Sequence, residues 1–142
     1  MVMSNAINKI WEPIDFTVYL SFIQWKLVIY LIWEIGLRLV AGLIVGGWLF
    51  DNLEIIAWLS RLVFFGWLGY QSWKSFGRVS PIAAISGTLS GFAIGLIAAL
   101  SRFIEGFKIW KFFNLVTETT LVTLVGCLVA VLVIYILGFK KN

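Results

Sequence analysis

The sequence predicts an all-α integral membrane protein: a four-helix transmembrane bundle with an N-terminal amphipathic helix leading into it and an interfacial connector before the last span. Three observations carry that expectation. First, 61% of the 142 residues are hydrophobic and only 13% are charged, whereas a soluble domain carries about a quarter charged residues. A soluble fold of this length has too much surface for its volume to hide so many apolar side chains, so lipid must serve as the solvent. Second, the apolar runs are long enough to cross a hydrocarbon core and are separated by brief polar breaks. Third, tryptophans fall at many of those breaks, where amphipathic rings anchor helices at the membrane–water interface.

Residues 1–26 read as the lead-in. Met1 to Pro13 is mixed in character, and Glu12-Pro13-Ile14-Asp15 looks like a helix start, with proline in the first turn and an acid near the positive end of the dipole. The stretch lacks the charged, apolar and small-residue order of a cleaved signal. From Ile14 to Phe50 there is almost no turn chemistry, and one helix of that length would run about 55 Å against a core of roughly 30 Å. The preferred division is an amphipathic helix over Ile14 to Lys26, then a first span over Leu27 to Phe50, with Gln24 and Lys26 at the junction. The alternative is two spans with a hairpin near Glu34 to Leu37, in a segment with one glycine and no proline.

Asp51-Asn52 supplies a break, and the second span runs over Leu53 to Trp73. Lys74 to Pro81 is the clearest loop, with Ser80 as expected N-cap and Pro81 in the first turn. The third span is Pro81 to Ile104. Glu105 to Val116, where Phe107, Trp110, Phe112 and Phe113 interleave with Lys108 and Lys111, reads as the interfacial connector. The fourth span is Thr117 to Phe139, with Thr117 resembling an N-cap and Glu118 in its first turn. With the N-terminus inside, Lys9, Lys26, Lys74, Arg78, Lys140 and Lys141 are cytoplasmic, against Arg102, Lys108 and Lys111 outside. The balance places both termini on the cytoplasmic side.

Several function classes recede on composition alone. Histidine is absent and there is one cysteine, Cys127, within an apolar run. The usual ligands for haem, zinc and copper and the usual general base near neutrality are therefore missing, and no cofactor or metal is expected. The net charge of +4 is scattered between apolar spans, a membrane-flank pattern rather than a nucleic-acid stripe. No catalytic set of residues emerges.

Two constellations remain. Ala83, Gly87, Gly91, Gly95 and Ala99 recur every four residues, flanked by Ser86 and Ser90, and so share one face of the third span. A face without side chains admits another helix at close range, either in the same chain or in a second copy. Gly42 and Gly46 repeat the idea weakly in the first span. The second constellation is ionic. Glu34 and Arg38 are four apart and can pair, Arg38 falls near the midplane of a Leu27–Phe50 span, and Arg61 lies well inside the second span. These three leave one positive charge over. They read as a polar path or as a salt-bridge cluster that fixes helix register. Trp25, Trp48, Trp73 and Trp110 are the expected interfacial anchors, while Trp33, Trp58 and Trp67 fall within spans.

The function expected from these features is a non-enzymatic, helix-packing membrane protein. Its partners would be the lipid bilayer and either itself, as a homo-oligomer, or other membrane subunits of a larger complex, for which it would be an accessory. The second expectation is a small ion channel or transporter with Glu34, Arg38 and Arg61 lining a polar path, with anions as the natural cargo of its surplus cation.

Overall fold

A computed structural model describes residues 16–43, 47–76, 80–101 and 108–139, all but a few of them helical. Four long helices, α1 (Phe16–Leu43), α3 (Leu53–Phe76), α4 (Ser80–Ser101) and α5 (Ile109–Phe139), are joined by one short helix, α2 (Trp48–Asp51). Each long helix contains a stretch long and apolar enough to cross a membrane: Thr17–Ala41, Leu53–Phe76, Ile82–Ser101 and Ile109–Gly138. Residues 1–15, 44–46, 77–79, 102–107 and 140–142 lie outside the described set, and with them Lys9, Arg78, Arg102, Lys140 and Lys141. Gly46 lies outside it too.

The first helix departs from the expected division. The helix runs unbroken through Gln24–Lys26 and through Gly36, so neither the junction nor the hairpin forms. Lys26 does not interrupt it because its Nζ folds back along the same helix, donating to the Phe22 carbonyl at 2.6 Å and lying 3.9 Å from the centre of the Phe22 ring. An ammonium satisfied by its own helix is tolerated inside an apolar run. The described helix ends at Leu43, and the α2 turn is closed by bonds from the Asp51 amide to the Gly47 carbonyl and from the Asn52 amide to the Trp48 carbonyl.

The last helix differs in the opposite direction. Ile109 to Val116, expected as part of a connector, is helical and continuous with the span that follows. Thr117 is therefore mid-helix, and its hydroxyl donates to the Phe113 carbonyl at 2.9 Å instead of capping. At 31 residues, α5 is about 46 Å long, some 15 Å more than a typical hydrocarbon core. Its aromatic and basic first turns are the part best suited to the interface.

Contacts fix an up-down-up-down topology. Tyr30 stacks on Phe64 and Phe22 meets Phe76, so α1 and α3 are antiparallel. Positions 87, 91 and 95 of α4 face 126, 122–123 and 119 of α5 in turn, which makes that pair antiparallel as well. Arg61, Phe65 and Gly69 meet Glu118, Gly126 and Ala130, so α3 and α5 run parallel. The central core joins Tyr30, Phe64, Phe65, Ile94 and Val122 from all four long helices. Smaller clusters lie around Tyr19, Ile23 and Ile82, and around Ala83, Ala130 and Ile134.

The most extensive packing is between α4 and α5, and it depends on missing side chains. A Cβ on Gly87 would overlap the Gly126 carbonyl. One on Gly91 would sit 2.7 Å from the Val122 carbonyl oxygen, and one on Gly95 only 2.8 Å from the Thr119 Cα. Ala83 and Ala99 at the two ends of this row are buried. Backbone thus lies on backbone, and dispersion and weak Cα–H bonding replace the hydrophobic drive that lipid does not supply.

Candidate functional site

The four-helix arrangement brings five charged side chains to one end of the bundle, the end at which α1 and α4 finish and α3 and α5 begin. Glu34 on α1 is 3% exposed and Arg61 on α3 is fully buried. Arg61 grips Glu34 with two nitrogens: Nε donates to Oε2 at 3.3 Å, and Nη2 donates to Oε1. This side-on, two-point pairing is what the planar guanidinium is shaped for. Arg38, one turn along α1, donates to the same Oε1 at 3.3 Å and, through Nη1, to Glu54 of α3 at 3.4 Å. On its far side Arg61 presents Nη1 to Glu118 of α5 at 3.6 Å, an ion pair just longer than a hydrogen bond.

Local sequence explains how each group arrives. The four-residue spacing of Glu34 and Arg38 sets both on one stripe of α1, and that stripe faces α3. Trp58 stands one turn before Arg61 and lies beneath its guanidinium, 5.1 Å from ring centre to Cζ, adding a cation–π contact in a dry setting. Next to Glu34 along α1, the Tyr30 hydroxyl pairs with the Ser60 hydroxyl at 3.1 Å. Ser60 in turn donates to the Ala57 carbonyl. An arginine within a membrane span costs several kcal/mol without such partners. Here it has carboxylates from two other helices.

The structure changes the ionic reading in two ways. Glu54 of α3 joins the cluster by meeting Arg38. Glu118, expected only as a first-turn residue of the fourth span, reaches Arg61. Among the described residues, three carboxylates (Glu34, Glu54 and Glu118) thus meet two guanidinium groups (Arg38 and Arg61), so the cation expected as a surplus has carboxylate partners.

Beside the cluster a pocket of about 270 Å³ is lined by Trp58, Asn114, Thr117, Glu118 and Leu121. Two apolar grooves lie on the outer side of α1. One, of about 440 Å³, runs between α1 and α3 and is lined by Tyr30, Trp33, Ser60, Val63, Phe64 and Trp67. The other, of about 400 Å³, surrounds Gly36 and is bounded by Ile32, Trp33, Leu37 and Val40.

Of the expected anchors, Trp25, Trp48 and Trp110 are exposed. Trp73 is half-buried against the Ala83, Ala130 and Ile134 cluster. Trp33 and Trp67 face outward, while Trp58 is half-buried on Arg61. Fold and site together define a multi-pass helical protein with an ionic cluster between its membrane-length helices. Comparison with protein-family models, with curated proteins and with solved structures finds no match to the chain.

Proposed function

We propose that this chain is a non-enzymatic, helix-packing membrane protein that works as a homo-oligomer or as an accessory subunit of a larger membrane complex, with both termini on the cytoplasmic side. The observation that carries the proposal is the notch at Gly36. A Cβ placed there would meet nothing within 4 Å, so the absent side chain serves no contact inside the chain. The notch opens outward between Ile32 and Val40, next to the groove lined by Trp33, Trp67 and Phe64. Small residues set among large apolar ones are how membrane helices admit a neighbouring helix at close range. The glycine row of α4, by contrast, is occupied by α5 and is not free for a partner.

The test is particle mass in a mild detergent or nanodisc, with the chain expressed in its native membrane. The expected result is a stable particle with more than one chain. A strictly monomeric, partner-free particle contradicts the proposal.

A second reading, a small ion conductor, draws on one feature. Ion pairs link half-exposed Glu54 through Arg38, Glu34 and Arg61 to Glu118 at the wall of a pocket. Flux in proteoliposomes, compared between wild type and Arg61→Leu, decides it. Absence of flux for any common ion counts against this reading.

A further inference from the structure

We propose that the bundle interior between α3 and α4 binds an ordered water molecule, held by the hydroxyls of Ser86 and Ser90 and shared with that of Ser72. The site is separate from the ionic cluster and from the outer face of α1, so either reading above could fail without touching it.

Three hydroxyls carry the inference. Ser72 on α3 and Ser86 and Ser90 on α4 are all fully buried. Among the described residues, none of their oxygens has a hydrogen-bond partner. Other hydroxyls in the bundle are satisfied locally. On α4 itself, Thr88 donates to the Ala84 carbonyl and Ser101 to the Ala98 carbonyl, both at 2.7 Å. Ser60 on α3 and Thr123 on α5 bond in the same way to Ala57 and Thr119. Those four residues are half-buried and turn back onto their own helix, the usual recourse of a hydroxyl within a span. The three fully buried serines do not, and a buried donor left without an acceptor forfeits its hydration.

Packing sets the three together. Gly69 of α3 and Gly87 of α4 lie against one alanine of α5: a Cβ on Gly69 would be 3.0 Å from the Ala130 Cα, and one on Gly87 would be 3.1 Å from the Ala130 Cβ. Ser86 adjoins Gly87 in the chain, and Ser72 stands one turn beyond Gly69. Ser86 and Ser90 are themselves one turn apart on a single face of α4, with about 5–6 Å between Cβ atoms. That separation suits a bridge, because a water bonded to two hydroxyls at about 2.8 Å each spans up to about 5.6 Å.

The chemistry of the donors selects the ligand. Neutral hydroxyls repay poorly the desolvation of an ion. A water makes about three hydrogen bonds when buried, which is the number of hydroxyls available. Phe65 and Leu68, both fully buried, stand between Arg61 and Ser72 along α3, so the site does not extend the ionic cluster.

The full chain, with isotope-labelled serine, is reconstituted in lipid bilayers, and magnetisation transferred from water protons is read at each serine Cβ by solid-state NMR. Peaks are assigned through Ser72→Ala, Ser86→Ala and Ser90→Ala. Early transfer to Ser72, Ser86 and Ser90 is expected in the wild type. Ser86→Ala is expected to abolish transfer at Ser90, since a water short of a partner is no longer held. Ser90→Ala, read at Ser86, gives the reciprocal loss and keeps the test open if the first variant fails to fold. Absence of transfer to Ser86 and Ser90 in the wild type overturns the proposal. So does transfer at Ser90 that persists in folded Ser86→Ala, which would mean general hydration of the bundle. Transfer to Ser86 and Ser90 without Ser72 supports the water on α4 and overturns Ser72 as its third partner.

Discussion

Arg61 is the residue on which three helices converge, and its energetics are asymmetric. Burying an ion pair yields little net stability, because desolvation offsets most of the attraction, but removing one partner strands a charge. Glu34 holds Arg61 at two points, so Glu34→Gln is expected to destabilise the bundle by about 3–5 kcal/mol. Glu118 touches it only at 3.6 Å, and Glu118→Gln should cost about 1 kcal/mol. Replacing both Glu34 and Arg61 with apolar residues of similar size should recover much of the loss, giving a coupling of about 2 kcal/mol or more in a double-mutant cycle of reversible unfolding. Strict additivity would remove Arg61 from the centre of the cluster. The Arg38–Glu54 bridge, with its carboxylate side chain 51% exposed, should matter by less than about 1 kcal/mol.

Part of this cluster is legible from the residues alone. The Glu34–Arg38 spacing and the depth of Arg61 mark all three as unusual. Glu118 is harder to place. Its pairing depends on the rotation of α5 about its own axis, and one acid among threonines carries no period from which a rotation could be read. Reading Thr117 and Glu118 as a cap also hid it, since a helix start and a mid-helix polar patch share the same residue types.

At the scale of elements, two glycines distinguish contacts within the chain from contacts beyond it. Gly91 lies against the backbone of Val122 and Thr123, so Gly91→Leu must force α4 and α5 apart. Loss of the folded bundle is the expected outcome, seen as protease sensitivity and a lower unfolding midpoint. Gly36 has open space where its side chain would be, so Gly36→Leu should leave the unfolding midpoint within about 0.5 kcal/mol of wild type, as for a substitution without internal contacts. The row on α4 announces itself through its four-residue repeat. Its counterpart on α5 does not: Thr119, Val122 and Gly126 form no repeat, because a backbone groove needs only that nothing protrude. The limits of α1 were also obscured, since Lys26 looks like a boundary until its side chain is seen folded onto Phe22.

For the whole molecule, the alternating direction of the four helices places the end of α1 and the starts of α3 and α5 at one end of the bundle, and the start of α1 and the end of α5 at the other. The proposed orientation, with the termini in the cytoplasm, rests on the balance of cations. With Cys127 replaced by serine, Asp51→Cys and Asn142→Cys are expected to react with an impermeant thiol reagent from opposite sides of sealed vesicles. Labelling of both from one side would break the four-span topology.

The number and order of membrane-length helices were readable because long apolar runs are bounded by turn residues in the sequence. Association is a different matter, since an outward apolar face looks the same whether lipid or protein covers it. The central claim, assembly through the outer face of α1, is tested most directly by the mass of the wild-type particle in nanodiscs beside that of Gly36→Leu. The account expects a multi-chain particle that falls to a single folded chain when Gly36 is filled. A wild-type particle that is already monomeric, or an assembly unchanged by Gly36→Leu, would contradict it.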